Sequence, residues 1–149
     1  MIGQPTFQRR LIADESGAMA IEFGLLGPLL IAMLLGVLQI GLAMQSYNAI
    51  RNVSADVARY AAVQYQTDNL LTNEQIQQYA ISTAIGSPYL LQREGIFIQV
   101  DDAATQRVNG AKELELEIDY QIPSILTLLG FDSPSIRYDR PIFVLDPTA

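Results

Sequence analysis

Glu22 is the only charged residue in a run of 27 otherwise apolar residues, 18–44, which also contains a single glutamine. A carboxylate in a segment of membrane length costs about 2.5 to 3.5 kcal/mol at the bilayer centre, and somewhat less near an edge. A charge with that cost needs a compensating partner. Gly17 lies five positions before Glu22, and Phe23 directly follows it, so these residues are the first candidates for a functional site.

Conventional catalytic chemistry has few side chains to use. The chain contains no cysteine and no histidine, which removes disulfides, thiol nucleophiles, Cys or His zinc sites and the commonest general base. Lys112 and the Asp, Glu, Ser and Tyr side chains remain, and no pair of them has an activating spacing. We therefore expect no enzyme activity, no cofactor and no metal site.

Four carboxylates alternate along one stretch that has the pattern of a β-strand. They could bind calcium or a basic partner, but alternate strand residues lie about 6.5 to 7 Å apart, too wide for several of them to chelate one ion unaided. Like charges on the solvated side of a strand discourage edge pairing. We therefore expect a solvent-facing row formed by Glu113, Glu115, Glu117 and Asp119.

The net charge of −7 is concentrated in the second part of the chain, where residues 45–149 contain seven basic and thirteen acidic side chains. Clustered Lys and Arg drive phosphate binding, so we expect no nucleic-acid partner. A length of 149 residues leaves room for one small domain beside a membrane segment.

Residues 18–44 are long enough to cross a membrane. As a helix they would measure about 40 Å, more than the roughly 30 Å hydrocarbon core. A secretory signal with a cleavage site at Gly41, Leu42 and Ala43 fits poorly, because the apolar region of such a signal spans only about 7 to 15 residues. Arg9 and Arg10 precede the segment and favour a cytoplasmic N-terminus with an exported C-terminal part.

Small residues and one proline recur every four positions in this segment. Small side chains at that spacing let two helix backbones approach closely, although glycine is also frequent in membrane helices in general. Proline removes one backbone hydrogen bond and should bend or loosen the helix. The repeat of Ala20, Gly24, Pro28, Ala32 and Gly36 predicts an assembly face, and the predicted subunit-assembly helix also contains Glu22.

The helical pattern continues past the membrane segment, so one helix is predicted over residues 18–66. Its second part is amphipathic, with a polar face opposite an apolar one. The predicted apolar face contains Tyr47, Ile50, Val53, Val57, Tyr60 and Ala61.

A second helix and three strands follow. Thr72 and Gln75 are placed to form a capping box for a helix over 73–85 that ends at Gly86. The hydrophobic period then changes to two, and Pro141 marks an edge or a bend in the last strand. The predicted fold is α+β: the long N-terminal helix packs on a small domain with a second helix and a three-stranded antiparallel sheet. The inward positions are Ile76, Tyr79, Ala80 and Ile85 in the helix, and Ile96, Ile98, Val100, Leu114, Leu116, Ile118, Tyr120, Ile136, Tyr138, Ile142 and Val144 in the strands.

The apolar segment at residues 122–131 is predicted to be either a covered helical turn or a contact surface. One helical turn cannot hide all of its leucines. A possible partner surface is formed by Ile125, Leu126, Leu128 and Leu129.

Several parts of the chain resemble the TadE-like family of minor pilins, or pseudopilins, of the tight-adherence (Flp) type IV pilus system. The acidic pair and small residues at 14–17, the apolar residues and acid at 18–23, and Pro28 carry the resemblance near the N-terminus. Residues 55–61 are similar to the Ala-Arg segment that follows the membrane helix in this family. The major pilins are similar around the same region but are much shorter.

This resemblance implies a processing site formed by Gly17, Ala18, Glu22 and Phe23. A prepilin peptidase would cut between Gly17 and Ala18. The new ammonium of Ala18 would then pair with Glu22 of an adjacent subunit, which would offset the burial of both charges. The expected order along the chain is a leader at 1–17, a transmembrane helix at 18–44, its exported continuation at 45–66 and a small exported domain at 67–149.

The implied function is that of a single-pass protein of the bacterial inner membrane that takes part in the assembly or priming of a pilus used in adhesion and biofilm formation. Its partners would be the prepilin peptidase, other pilins and pseudopilins, and the pilus assembly platform. An alternative of another class is an uncleaved single-span anchor whose exported domain binds a partner in the envelope. A type II secretion pseudopilin is a further alternative.

Overall fold

The computed structural model describes residues 15–145. Two compact units make up the chain, Met1–Leu38 and Gln39–Ala149. Most of the predicted leader, residues 1–14, lies outside the described residues. The described part of the first unit is a helical segment, and the second unit contains the sheet.

Helix α1, Glu15–Gln66, is a single element of 52 residues. The prediction of one helix over residues 18–66 is confirmed, and the helix begins slightly earlier than predicted. Pro28 lies inside it. By length and composition, the helix is apolar enough to cross a membrane.

In the first unit, α1 exposes apolar side chains on every side. A helix that is apolar all round is stable only where something other than water covers it. Burying one such side chain contributes about 1.5 to 3 kcal/mol, so this segment favours lipid or neighbouring helices. The large exposed side chains here are Met19, Ile21, Phe23, Leu25, Leu26, Leu29, Leu30, Ile31, Met33, Leu34, Val37 and Leu38.

In the second unit, α1 buries only one face. Ile50, Val53, Val57 and Ala61 are fully buried in the domain core, as predicted. The prediction for Tyr47 is wrong, because this residue is 44% exposed. Positions four residues apart continue the buried stripe of a helix, so Ser46 takes the inward place one turn before Ile50.

Helix α2, Asn73–Ile85, has the predicted boundaries. Thr72 Oγ1 accepts from the backbone N–H of Gln75, and Gln75 Oε1 accepts from the N–H of Thr72 at 2.9 Å, which completes the capping box. Ile76 and Ala80 are buried as predicted. The prediction that Ile85 faces inward is wrong, because this residue is 39% exposed. Ala84, four residues after Ala80, is the buried residue of that turn.

The three predicted strands form one antiparallel sheet in the order β1-β2-β3. They are β1, Ile96–Asp102; β2, Ala111–Gln121; and β3, Ser135–Leu145. Gln77 of α2 donates from Nε2 to the carbonyl of Ile98 at 2.6 Å. This bond occupies a backbone acceptor of an edge strand that would otherwise be open to another chain.

The sheet buries the face that the alternation predicted. The inward residues of β1 and β2 are confirmed, whereas Ile136 and Tyr138 of β3 are only half-buried. β3 lies at the edge of the sheet, where Pro141 can be accommodated because the outer N–H groups of an edge strand need no partner strand. The α+β architecture is therefore confirmed. The buried apolar strand residues are Ile96, Ile98, Val100, Leu114, Leu116, Ile118, Tyr120, Ile142 and Val144.

Glu113 corrects the prediction of a solvated acidic row, because it is only 2% exposed. The loop between β1 and β2 folds over this side chain, and Arg107 binds the carboxylate from its guanidinium and from its backbone N–H, the latter at 3.2 Å. Gln106 Oε1 also accepts from the backbone N–H of Glu113 at 2.6 Å. A period-two pattern cannot reveal this burial, because the cover comes from a loop outside the strand.

We expect Ile118→Ala to lower the free energy of unfolding by about 2 to 5 kcal/mol, because Ile118 is fully buried in the central strand. Urea unfolding of the full chain in detergent micelles, followed by circular dichroism, measures this loss. The matched control is Ile85→Ala at the exposed end of α2, which should change stability by less than about 1 kcal/mol. A large loss at Ile85 would contradict the assignment of Ala84 to the core.

We expect the stabilising effect of Glu113 to disappear in acid. The hydrogen bonds from Arg107 hold the pKa of the Glu113 carboxyl below its ordinary value of 4.5. A lowered pKa means that the charged form stabilises the fold above that pH and that this stability is lost as the pH falls through the lowered pKa. Glu113→Gln should therefore lower the urea midpoint clearly at pH 7 and by progressively less as the pH falls below 4.5. A loss that does not shrink as the pH falls would contradict this role.

Candidate functional site

The residues of the expected processing site all lie in the first turns of α1. Gly17 is the third residue of the helix, and Ala18, Glu22 and Phe23 follow on exposed positions. Ala18 and Glu22 are four residues apart and therefore lie on the same side of the helix. Because Glu22 is exposed in the isolated chain, its carboxylate is accessible to another molecule.

The small residues of the expected assembly face leave open space beside the helix. A Cβ atom added at Gly24 or Gly36 would have no heavy atom within 4 Å, once its chain neighbours and the helix's own nearby backbone are set aside. Packing within this chain therefore does not require glycine at either position.

Pro28 adds a backbone feature to the same face. It has no N–H, so the carbonyl of Gly24, four residues earlier, lacks its usual intrahelical donor. In lipid an unsatisfied carbonyl costs several kcal/mol unless a neighbouring group satisfies it. Gly24 therefore has both a carbonyl without its intrahelical donor and no Cβ atom.

Gln39 is a structural residue that the sequence patterns did not identify. Its side chain is only 7% exposed. Its Nε2 donates to the carbonyl of Pro123 at 3.3 Å, and its Oε1 accepts from the backbone N–H of Ile125 at 3.2 Å. The signal was present, since Gln39 is the lone glutamine of the apolar run, but the sequence gives no indication of its partner 84 to 86 residues away.

The segment that Gln39 holds contains the proposed partner surface. It forms a short 3₁₀ helix, Ile125–Leu129, followed by Gly130 in the left-handed conformation at φ 84°. Ile125 and Leu126 are half-buried. The side chains of Leu128 and Leu129 lie outside the described part of the structure.

Aromatic contacts join the two helices and the segment that follows them. The rings of Tyr60 and Tyr79 stack with centroids 3.7 Å apart. Tyr89 donates its hydroxyl to Asp56 at 2.7 Å, and this hydrogen bond raises the pKa of Tyr89 above its ordinary value. These contacts fix α2 against α1 and offer no convergent set of reactive groups.

Some of the sheet carboxylates pair with basic side chains. Lys112 lies 2.9 Å from Asp102 and lowers the pKa of that carboxyl by hydrogen bonding. Arg137 lies 2.5 Å from Glu117. Across residues 15–145, no group of three or more Asp, Glu, His or Cys side chains is arranged to hold a metal ion.

Comparison with known proteins supports the resemblance seen in the sequence. The family model described as TadE-like protein matches residues 17–59. Searches of curated proteins and of solved structures found no match. The matched segment covers the expected processing site, the small-residue face and the first buried turns of α1 in the domain. Over residues 17–59 the chain therefore matches the TadE-like family model, and this match confirms the resemblance seen in its sequence.

Proposed function

We propose that this chain is a minor pilin, or pseudopilin, of a tight-adherence pilus, processed by a prepilin peptidase and active in pilus assembly or priming. The observation that carries the proposal is the TadE-like match over residues 17–59. That segment begins at the glycine of the proposed cut and includes Glu22. The protein is thus a substrate of the peptidase and a building block for assembly.

The proposed cut between Gly17 and Ala18 changes the electrostatics of the helix end. It removes the leader and leaves an ammonium at Ala18. In a bundle of such helices, this ammonium and Glu22 of a neighbouring subunit pair, and the pairing offsets the desolvation of both charges. Gly17 helps the peptidase because glycine weakens the first helical turn and allows an extended backbone.

The small-residue face brings the neighbouring helix close. Gly24 and Gly36 have room for a partner backbone, as their open surroundings show. A donor on that neighbour would satisfy the Gly24 carbonyl that Pro28 leaves free. Packing, charge pairing and the backbone acceptor therefore all favour association through the same segment of α1.

The proposed location is the bacterial inner membrane, with a single span and an exported domain. Arg9 and Arg10 favour a cytoplasmic N-terminus. In this arrangement the leader faces the cytoplasm, and the domain that contains the sheet faces the envelope. The proposed partners are the prepilin peptidase, other pilins and pseudopilins, and the inner-membrane assembly platform.

A second candidate function is that of an uncleaved single-span anchor with a partner-binding domain. The observation that favours it is the length of α1, which is apolar enough to cross a membrane and continues into the domain. In that case Glu22 would have no neighbour's amine to pair with. Substitution of Glu22 therefore distinguishes the two functions.

We expect the mature chain to begin at Ala18. Mass spectrometry of a C-terminally tagged chain should show the loss of residues 1–17 in cells that contain the peptidase and full length in cells that lack it. Gly17→Leu should abolish the cut because a bulky side chain obstructs the extended backbone, whereas Ala20→Leu, beyond the cut, should be processed. An unchanged mass in both strains would rule out processing.

We expect Glu22→Ala and Gly24→Leu each to reduce piliation at least tenfold while leaving the chain folded. The first leaves the neighbour's ammonium buried and unpaired, a defect of about 3 to 5 kcal/mol, and the second obstructs helix contact. Electron microscopy of surface pili measures the effect. Ile21→Ala, on the exposed apolar position directly before Glu22, is the control and should assemble. Normal piliation with Glu22→Ala would favour the anchor function.

A further inference from the structure

We propose that the segment at residues 122–131, here called the interfacial loop, rests in the lipid surface on the exported side of the membrane. This contact would be a second attachment of the domain to the bilayer, separate from the span itself. It goes beyond the proposed function and requires only that α1 crosses the membrane. The occupant of the loop surface is zwitterionic lipid.

The position of Gln39 along α1 sets the level of this loop. Residues 18–38 are apolar except for Glu22, and 21 helical residues measure about 31 Å. The hydrocarbon core is about 30 Å thick. A span over residues 18–38 is therefore long enough to cross the core, and Gln39, which directly follows it, then lies at the boundary between hydrocarbon and headgroups.

Gln39 fixes the interfacial loop at that boundary. Its amide group bonds both to the carbonyl of Pro123 and to the N–H of Ile125. These two bonds are made by a side chain that is 7% exposed, so the loop covers Gln39 in the isolated chain. Any membrane that begins next to Gln39 is therefore also next to the start of the 3₁₀ helix.

The backbone of the loop is prepared for an environment with little water. Ser124 Oγ accepts from Leu126 N at 3.2 Å, and Gly130 N donates to the carbonyl of Thr127 at 3.0 Å. Phe131 N donates to the carbonyl of Leu126 at 3.3 Å. Irregular backbone is excluded from lipid mainly because its polar groups lack partners, and in this loop the N–H groups of Leu126, Gly130 and Phe131 have them.

The surface around the loop is apolar and uncharged. Residues 120–131 contain no charged side chain, and Phe131 is 62% exposed. Leu90, which is 71% exposed, lines a cavity of about 140 Å³ together with Leu42 and Pro123. Moving an exposed Phe or Leu side chain from water into an apolar environment contributes about 1.5 to 3 kcal/mol of stabilisation.

Charge selects the kind of lipid. The second part of the chain has thirteen acidic and seven basic side chains, so an anionic surface would repel the domain. Phosphatidylcholine offers apolar cover without that repulsion. The contact is therefore apolar, and it should weaken as phosphatidylglycerol is added.

The test uses the full chain in phosphatidylcholine vesicles and one introduced cysteine, since the chain has none of its own. A bimane label at Phe131→Cys should be quenched by nitroxide-labelled lipid at least threefold more strongly than a label at Val108→Cys. Val108 is exposed and lies just before the start of β2. The other end of β2 leads into the interfacial loop and is about 30 Å from the start of the strand. Equal quenching at the two sites would overturn the proposal.

Two further measurements separate lipid from other occupants. Gln39→Leu should reduce lipid quenching at position 131 at least twofold, whereas Gln45→Leu, on an exposed position of α1, should not. The quenching should stay constant as the protein is diluted in lipid, and weak quenching that rises on dilution would assign the loop surface to a second copy and overturn the proposal. None of these readouts depends on peptidase cleavage, so a failure here is distinct from a failure of the proposed processing.

Discussion

The requirement for apolar cover along α1 governs the rest of this molecule. In the second unit the helix buries one face, with Ile50, Val53 and Val57 fully enclosed by the domain. In the first unit the apolar side chains face outward on all sides, and Phe23 is 77% exposed. Apolar burial contributes about 25 cal/mol per Å², so the domain core satisfies the second part of the helix. Lipid or neighbouring helices must satisfy the first.

The two parts of α1 differ in how their polar groups find hydrogen-bond or charge partners. Gln39 is buried, and its amide group is bonded within the chain, so its role is to hold the fold. Glu22 is exposed on the isolated helix, and a carboxylate in lipid carries a free-energy cost that a partner offsets. The carbonyl of Gly24, freed by Pro28, has the same requirement. The TadE-like match includes all four of these residues.

Local patterns predicted the elements well, and they failed where cover came from elsewhere. The capping box at Thr72 is a contact within one turn, so its spacing was sufficient to place the start of α2. The prediction that Ile85 faces inward was wrong by one position, because a spacing of three or four residues does not specify which of two neighbouring residues is buried. The prediction that Glu113 faces solvent was wrong because the loop containing Arg107 folds over its side chain. Of the candidate surface, the sequence identified the apolar segment but not the bond that positions it.

The apolar helix, the change of period from helix to strand and the α+β class could be predicted from the sequence, because each follows from the repeat of apolar residues along one element. The resemblance to TadE-like proteins was also visible there, and the family model matches residues 17–59. The folded chain was needed to show which polar side chains are buried and which groups satisfy them. The bonds of Gln39 join residues more than 80 positions apart. Such partners depend on the path of the whole chain, which no local periodicity specifies.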